Sequence, residues 1–136
     1  MKFVTYTIYR GEKPRFGFII EDKIIDIMRS SIWLNEHKKD SSFLSIPTTL
    51  KLALNEWNEN FGKLVELEQI IADLDYSTLQ INGKAVSTDL NDAHLLPPVI
   101  NPTSFRDFYA FEQHVKAARK LRGLAMNPDW YKIPIF

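Results

Sequence analysis

The chain has 136 residues, seventeen basic and seventeen acidic, and no cysteine. Balanced charge offers no field that would gather nucleic acid or an anionic membrane, and without cysteine neither disulfides nor thiolate metal sites can form. At 45% hydrophobic and 25% charged residues the composition is that of a globular protein, and with no apolar run long enough to span a bilayer and no signal-peptide core, the cytoplasm is the expected compartment.

In chain order, residues 2–27 read as a short antiparallel meander. KFVTYTIY is β-branched and aromatic, RGEKPR turns the chain, FGFII is a second strand, Glu21-Asp22 a tight turn and KIIDI a third strand. Tyr6 and Tyr9 could touch a ligand, but a half-buried sheet accounts for them by packing. Residues 28–76 read as helical. MRSSIWLNEHKK comes first, with His37 a solvated histidine between Glu36 and Lys38. SSFLSIP is a loop, and Thr48 or Thr49 opens a helix over LKLALNEWN. The next helix carries Phe61, Leu64, Leu67, Ile71 and Leu74 on one stripe. Glu66, Glu68 and Asp73 do not share a face of it, so they read as a solvated surface, not a metal site. From residue 77 the chain returns to extended structure, with Asn82-Gly83 a hairpin turn. Pro97, Pro98 and Pro102 then stiffen LLPPVINP into a strap, preceded by His94, for which a structural role is expected.

Residues 103–123, TSFRDFYAFEQHVKAARKLRG, read as one helix with both ends marked. Ser104 is a good N-cap and Asp107 stands three residues on; Arg119, Lys120 and Arg122 suit the last turn, and Gly123 the stop. A continuous helix would align Asp107, Ala110, Phe111, His114, Ala118 and Leu121 in one stripe, with Asp107 and His114 about 10 Å apart along it. A carboxylate and an imidazole on a mostly apolar face have two explanations. Asp107 can serve as a capping carboxylate and His114 as a packed core histidine, or the two can belong to a site. LAMNPDWYKIPIF follows, and its closing apolar run suggests the opening part of a longer protein. The expected fold class is α+β (mixed α/β). A small antiparallel sheet with covering helices would fill 1–95, and 96–136, a proline strap and one capped helix, would begin a second unit.

The segment LLPPVINPTSFRDFYAFEQHVKAARKLRGLAMNPDWYKIPIF resembles the start of the catalytic domain in the fumarylacetoacetate hydrolase family. Upstream, MKFVTYTI, RFGFIIEDKIIDI and IPTTLKLAL are similar to the small N-terminal domain of its longer members, so the resemblance runs through the whole chain. Its most specific piece is D-F-Y followed, five residues after the Tyr, by His. It implies a metal-dependent hydrolase that cleaves a C–C bond in a 1,3-dicarbonyl or acylpyruvate-type 2-oxo acid. Asp107 would then ligate a divalent cation, His114 would be the general base on the attacking water, and Tyr109 would lie near substrate. Arg122 is the nearest match to a carboxylate-holding arginine of the family, one residue early in an ungapped reading. Mg²⁺ or Ca²⁺ is implied, with Mn²⁺ a further candidate; the principal ligands, an E-x-E pair and another Asp, would follow Phe136. A homodimer is implied as the assembly. Decarboxylation, dehydration or isomerisation of 2-oxo acids are the family's other chemistries, and a non-catalytic module is the reading from a different class.

The residue types suit that chemistry by themselves. Hard cations take carboxylate oxygens, and such an ion stabilises the enolate left when a C–C bond breaks. Imidazole, with an unperturbed pKa near 6.5, suits proton abstraction from water at neutral pH.

Overall fold

The computed structural model of the chain describes residues 1–104 and 111–132. The fold is mixed α+β, and the chain divides into two compact units, Met1–Pro102 and Thr103–Phe136.

The first unit is built on the expected meander. Strands β1 (Phe3–Thr7), β2 (Arg15–Ile20) and β3 (Lys23–Asp26) pair antiparallel, Val4 opposite Gly17 and Gly17 opposite Asp26. Two further strands come from the stretch read as extended structure and strap. β6 (Ser87–Asp89) adds to β3 and β7 (His94–Leu96) adds to β1, giving a five-stranded sheet in the order β6-β3-β2-β1-β7. The β4 (Gln80–Ile81) and β5 (Lys84–Ala85) hairpin is separate, and Asn82 and Gly83 at its tip both hold positive φ, 50° and 70°. That is the backbone a two-residue primed turn needs, and Asn-Gly adopts it readily.

The sheet curls, and chain length explains why. In a flat five-stranded sheet the outer strands lie about 19 Å apart. They are joined here by Leu90–Asp92, a single 3₁₀ turn, and Ala93. That link reaches about 14 Å at most. The edges must therefore approach each other. Leu90 and Ala93 pack against Val4, Tyr6 and Ile24 on the inner face, and the Leu90 N–H closes the turn on the Asp22 carbonyl at 2.9 Å.

Helices cover the other face. α1 (Ile27–Lys38) leaves β3 without a loop, α2 (Leu50–Ala53) is one turn, and α3 (Trp57–Ala72) is the long one. Phe16, Phe18 and Ile25 of the sheet meet Leu34, Phe43, Leu50, Leu64, Leu67 and Ile71 in one buried cluster. The expected stripe of α3 buries at Leu64, Leu67 and Ile71, whereas Phe61 stays 41% exposed. Ile27 belongs to α1 and not to β3, because Asp26 ends the strand as the N-cap of the helix. Thr49 is the N-cap of α2, its hydroxyl accepting from the Leu52 N–H at 3.2 Å.

The second unit corrects an expectation. Its helix, α4, runs Glu112–Leu121, and Phe111 before it is extended at φ −97°, ψ 118°. A helix unbroken from Ser104 is therefore excluded. Sequence placed the cap on Ser104, but α4 has its own acidic first turn in Glu112, bridged to Lys116 at 2.5 Å. The C-terminal end is as expected. Gly123 sits at φ +70° and its N–H bonds the Lys120 carbonyl, while the Leu124 N–H bonds that of Arg119, the two bonds of a Schellman stop.

Gly17 is the tightest position in the sheet. A Cβ there would lie 2.7 Å from the Ile25 carbonyl oxygen, 2.9 Å from Ile24 Cγ2 and 3.2 Å from the Tyr6 ring. Backbone cannot step aside as a side chain can, so Gly17→Ala is expected to destabilise the chain by about 1–3 kcal/mol. Chemical unfolding of the two proteins checks this; equal midpoints would show that the sheet yields at this point.

Candidate functional site

Of the four residues that the sequence marks, Asp107 and Tyr109 lie outside the described residues. His114 is exposed on α4, and Arg122 is the exposed C-cap of the same helix. The apolar stripe expected to face a core does not do so: Phe111 is 80% and Leu121 89% exposed, and the buried residue of α4 is Val115. The seven-residue spacing that would align Asp107 with His114 assumed a helix that in fact starts at Glu112. Helical periodicity therefore does not bring the two residues together.

The other histidines carry no such pattern. His37 stacks on Trp33 with ring centroids 4.6 Å apart, its Nδ1 3.0 Å from the Trp33 carbonyl, on the exposed side of α1. His94 is exposed on the edge strand β7, opposite Thr7. Among the described residues no group of three or more His, Asp or Glu side chains is placed to hold a metal ion. No helix among them is long and apolar enough to cross a membrane.

A polar cluster that sequence did not single out lies at the heart of the first unit. Asp26 is 2% exposed and Tyr6 0%. The Tyr6 hydroxyl donates to Asp26 Oδ2 at 3.1 Å, and the Arg29 N–H donates to Oδ1 at 3.0 Å. Two guanidiniums flank the carboxylate, Arg15 at 3.8 Å and Arg29 at 3.7 Å. The Arg15 guanidinium also lies over the Tyr6 ring, 5.8 Å from its centroid, and pairs with Glu12. Glu12 in turn accepts from the Ile8 N–H at 2.8 Å. That backbone bond, with Arg15 beside it, holds the Glu12 carboxyl below the usual range. Burial, and then the charge of Asp26, push the Tyr6 phenol well above its ordinary range. The arrangement follows from register: Gly17 stands between Val4 and Asp26, and its missing side chain lets the Tyr6 ring lie across β2. An Asp inside KIID and a Gly inside RFGFII were the signals available in sequence.

The cluster forms one wall of an open cavity of about 380 Å³. The start of β2, the first turns of α1, the Pro47–Thr49 segment and the β4–β5 hairpin enclose it. A second cavity of about 310 Å³ lies across Arg15 and Thr49, towards Pro98 and Asn101. The Tyr6–Asp26 pair is unsuited to acid–base work, since its proton is held by burial and no face of Tyr6 meets solvent. Its chemistry is to hold charge in place. Comparison with protein-family profiles, with curated proteins and with solved structures finds no match.

Asp26→Ala removes the α1 cap, worth about 1 kcal/mol, and leaves the buried Tyr6 hydroxyl without its acceptor, worth about 1–3 kcal/mol more. Asp26→Asn keeps both a cap and an acceptor and is expected to cost less; denaturant titration of the two variants checks the order. The raised Tyr6 phenol sets a pH dependence. Its contribution to stability is fully present below the unfolded tyrosine value of about 10 and is lost as pH rises above it, because only the unfolded chain ionises there easily. Tyr6→Phe should therefore flatten the alkaline fall in stability relative to the parent, read as unfolding midpoints from pH 8 to pH 11. Parallel curves would mean that Tyr6 ionises equally well in the fold.

Proposed function

We propose that this chain is the leading part of a metal-dependent hydrolase of the fumarylacetoacetate hydrolase family, acting on a 1,3-dicarbonyl or acylpyruvate-type 2-oxo acid in the cytoplasm. The observation that carries the reading is the segment 107–114, D-F-Y-A-F-E-Q-H, which follows the LLPPVINP strap after four residues. A small antiparallel α+β unit ahead of that segment supports it. So does the exposure of His114 on α4, because a base that takes a proton from water must be reachable by water.

In this reading His114 accepts the proton of the attacking water, Tyr109 lies near the substrate, and Arg122 is the nearest match to the arginine that holds its carboxylate. The described residues do not make a hard-cation site by themselves, and a single carboxylate at Asp107 is too few oxygen ligands for Mg²⁺ or Ca²⁺. The remaining ligands belong, by the resemblance, to residues after Phe136, and the complete protein is proposed to be a homodimer.

Two measurements test this. The 136-residue chain should be inactive on acylpyruvates and bind Mg²⁺ no more tightly than about millimolar, since hard cations need several oxygens together. Stoichiometric micromolar binding in a calorimeter would overturn the assignment of ligands. In the complete polypeptide, His114→Ala should lower kcat by about 10²–10⁴ with metal dependence unchanged, while Asp107→Ala should raise the metal concentration needed for half-maximal rate. A folded His114→Ala protein with near-normal kcat would end the catalytic reading.

A further inference from the structure

The cavity beside the Asp26 cluster carries a second inference, independent of the 107–114 segment. Four cations line it, Lys13, Arg15, Arg29 and Lys84, against two carboxylates, Glu12 and Asp26. Both carboxylates are already engaged. Glu12 pairs with Arg15, and Asp26 lies between Arg15 and Arg29 while accepting from Tyr6. Arg29 is further tied by its Nη1 to the Ala85 carbonyl at 2.8 Å, which fixes its head against the hairpin. Lys13 and Lys84 are exposed, and neither has a carboxylate partner among the described residues. The rim therefore keeps an excess of two positive charges. The walls between are apolar, with Phe16, Ile27, Ile32 and Ile81 facing the space. A volume of about 380 Å³ falls in the range of small-ligand sites, where apolar walls bury the body of the ligand and a few charged groups orient it.

We propose that this cavity binds a small organic carboxylate, its apolar body against Ile32 and Ile81 and its carboxylate between Lys13 and Lys84. The neighbouring cavity also meets Lys13 and Arg15, but it lacks Lys84, Ile32 and Ile81, and the cation it adds, Lys51, is bonded to the Asn101 carbonyl at 2.7 Å. Charge and shape act together: a bare anion would leave the apolar walls wet, and a neutral ring would leave the two ammonium groups without a partner.

The test uses the full chain and three probes, benzoate, its uncharged analogue benzamide, and inorganic phosphate, followed by the methyl resonances of Met28, Ile32 and Ile81. Benzoate should shift these signals saturably, and benzamide and phosphate should each bind about tenfold more weakly or not at all. The exposed pair Lys13→Ala/Lys84→Ala should weaken benzoate by about tenfold, the combined worth of two rim ion pairs, with an unchanged thermal midpoint. Benzoate that leaves the methyls unmoved, benzamide or phosphate that binds as tightly as benzoate, or a double variant that binds benzoate normally would each overturn the proposal. None of these outcomes involves Asp107 or His114, so the test stands or falls apart from the hydrolase reading.

Discussion

A buried carboxylate is costly unless every lone pair finds a donor, and Asp26 is where the first unit meets that cost. One oxygen caps α1 through the Arg29 N–H, the other receives the Tyr6 hydroxyl, and two arginines balance the charge. These bonds join elements that local sequence leaves separate. Tyr6 is on β1, Arg15 on β2, Asp26 at the end of β3 and Arg29 in the first turn of α1. The helix can start where the strand stops only because the same side chain serves both. Its carbonyl also accepts from the Ser30 hydroxyl at 2.8 Å, so the first helical turn is bonded to Asp26 from side chain and backbone alike. Among the described residues no buried side-chain polar atom is left without a hydrogen-bond partner.

The curl of the sheet and this polar node are linked. A short connection from β6 to β7 draws the sheet edges together and lays Leu90 and Ala93 over Tyr6 and Ile24. That cover removes Tyr6 from water and raises the stakes for its hydroxyl, which is then worth more as a donor to Asp26 than it would be in a solvated turn. Helices enclose the opposite face with aliphatic side chains, so the central strands β1, β2 and β3 are largely buried on both faces although the sheet is antiparallel and small. The cavity opens where this enclosure is incomplete, at the mouth between β2, α1 and the β4–β5 hairpin, and it inherits the arginines that the node placed there.

Much of the first unit was legible because its signals are local. Alternation in KFVTYT and the turn residues that follow specify strands, the spacing of Leu64, Leu67 and Ile71 specifies a helix face, and Asn82-Gly83 a primed turn. That β6 and β7 join the main sheet was not legible, since each is three residues long and defined by partners more than sixty positions away. The α4 start was misread for a related reason: Ser104 and Asp107 look like a cap and its carboxylate, but Phe111 is extended and the helix begins at Glu112.

Sequence by itself determined the α+β class, the meander, the Gly123 stop and the D-F-Y to His114 spacing that motivates a hydrolase, since each depends on neighbours within a few residues. Only the tertiary structure decided that Tyr6 and Asp26 meet, that Gly17 must remain small, and that Lys13 and Lys84 flank one cavity. Those facts depend on strand register and on the curl, which place residues far apart in the chain within bonding distance. A period of two or of 3.6 tells which way a side chain points along its own element; it does not tell what will stand opposite.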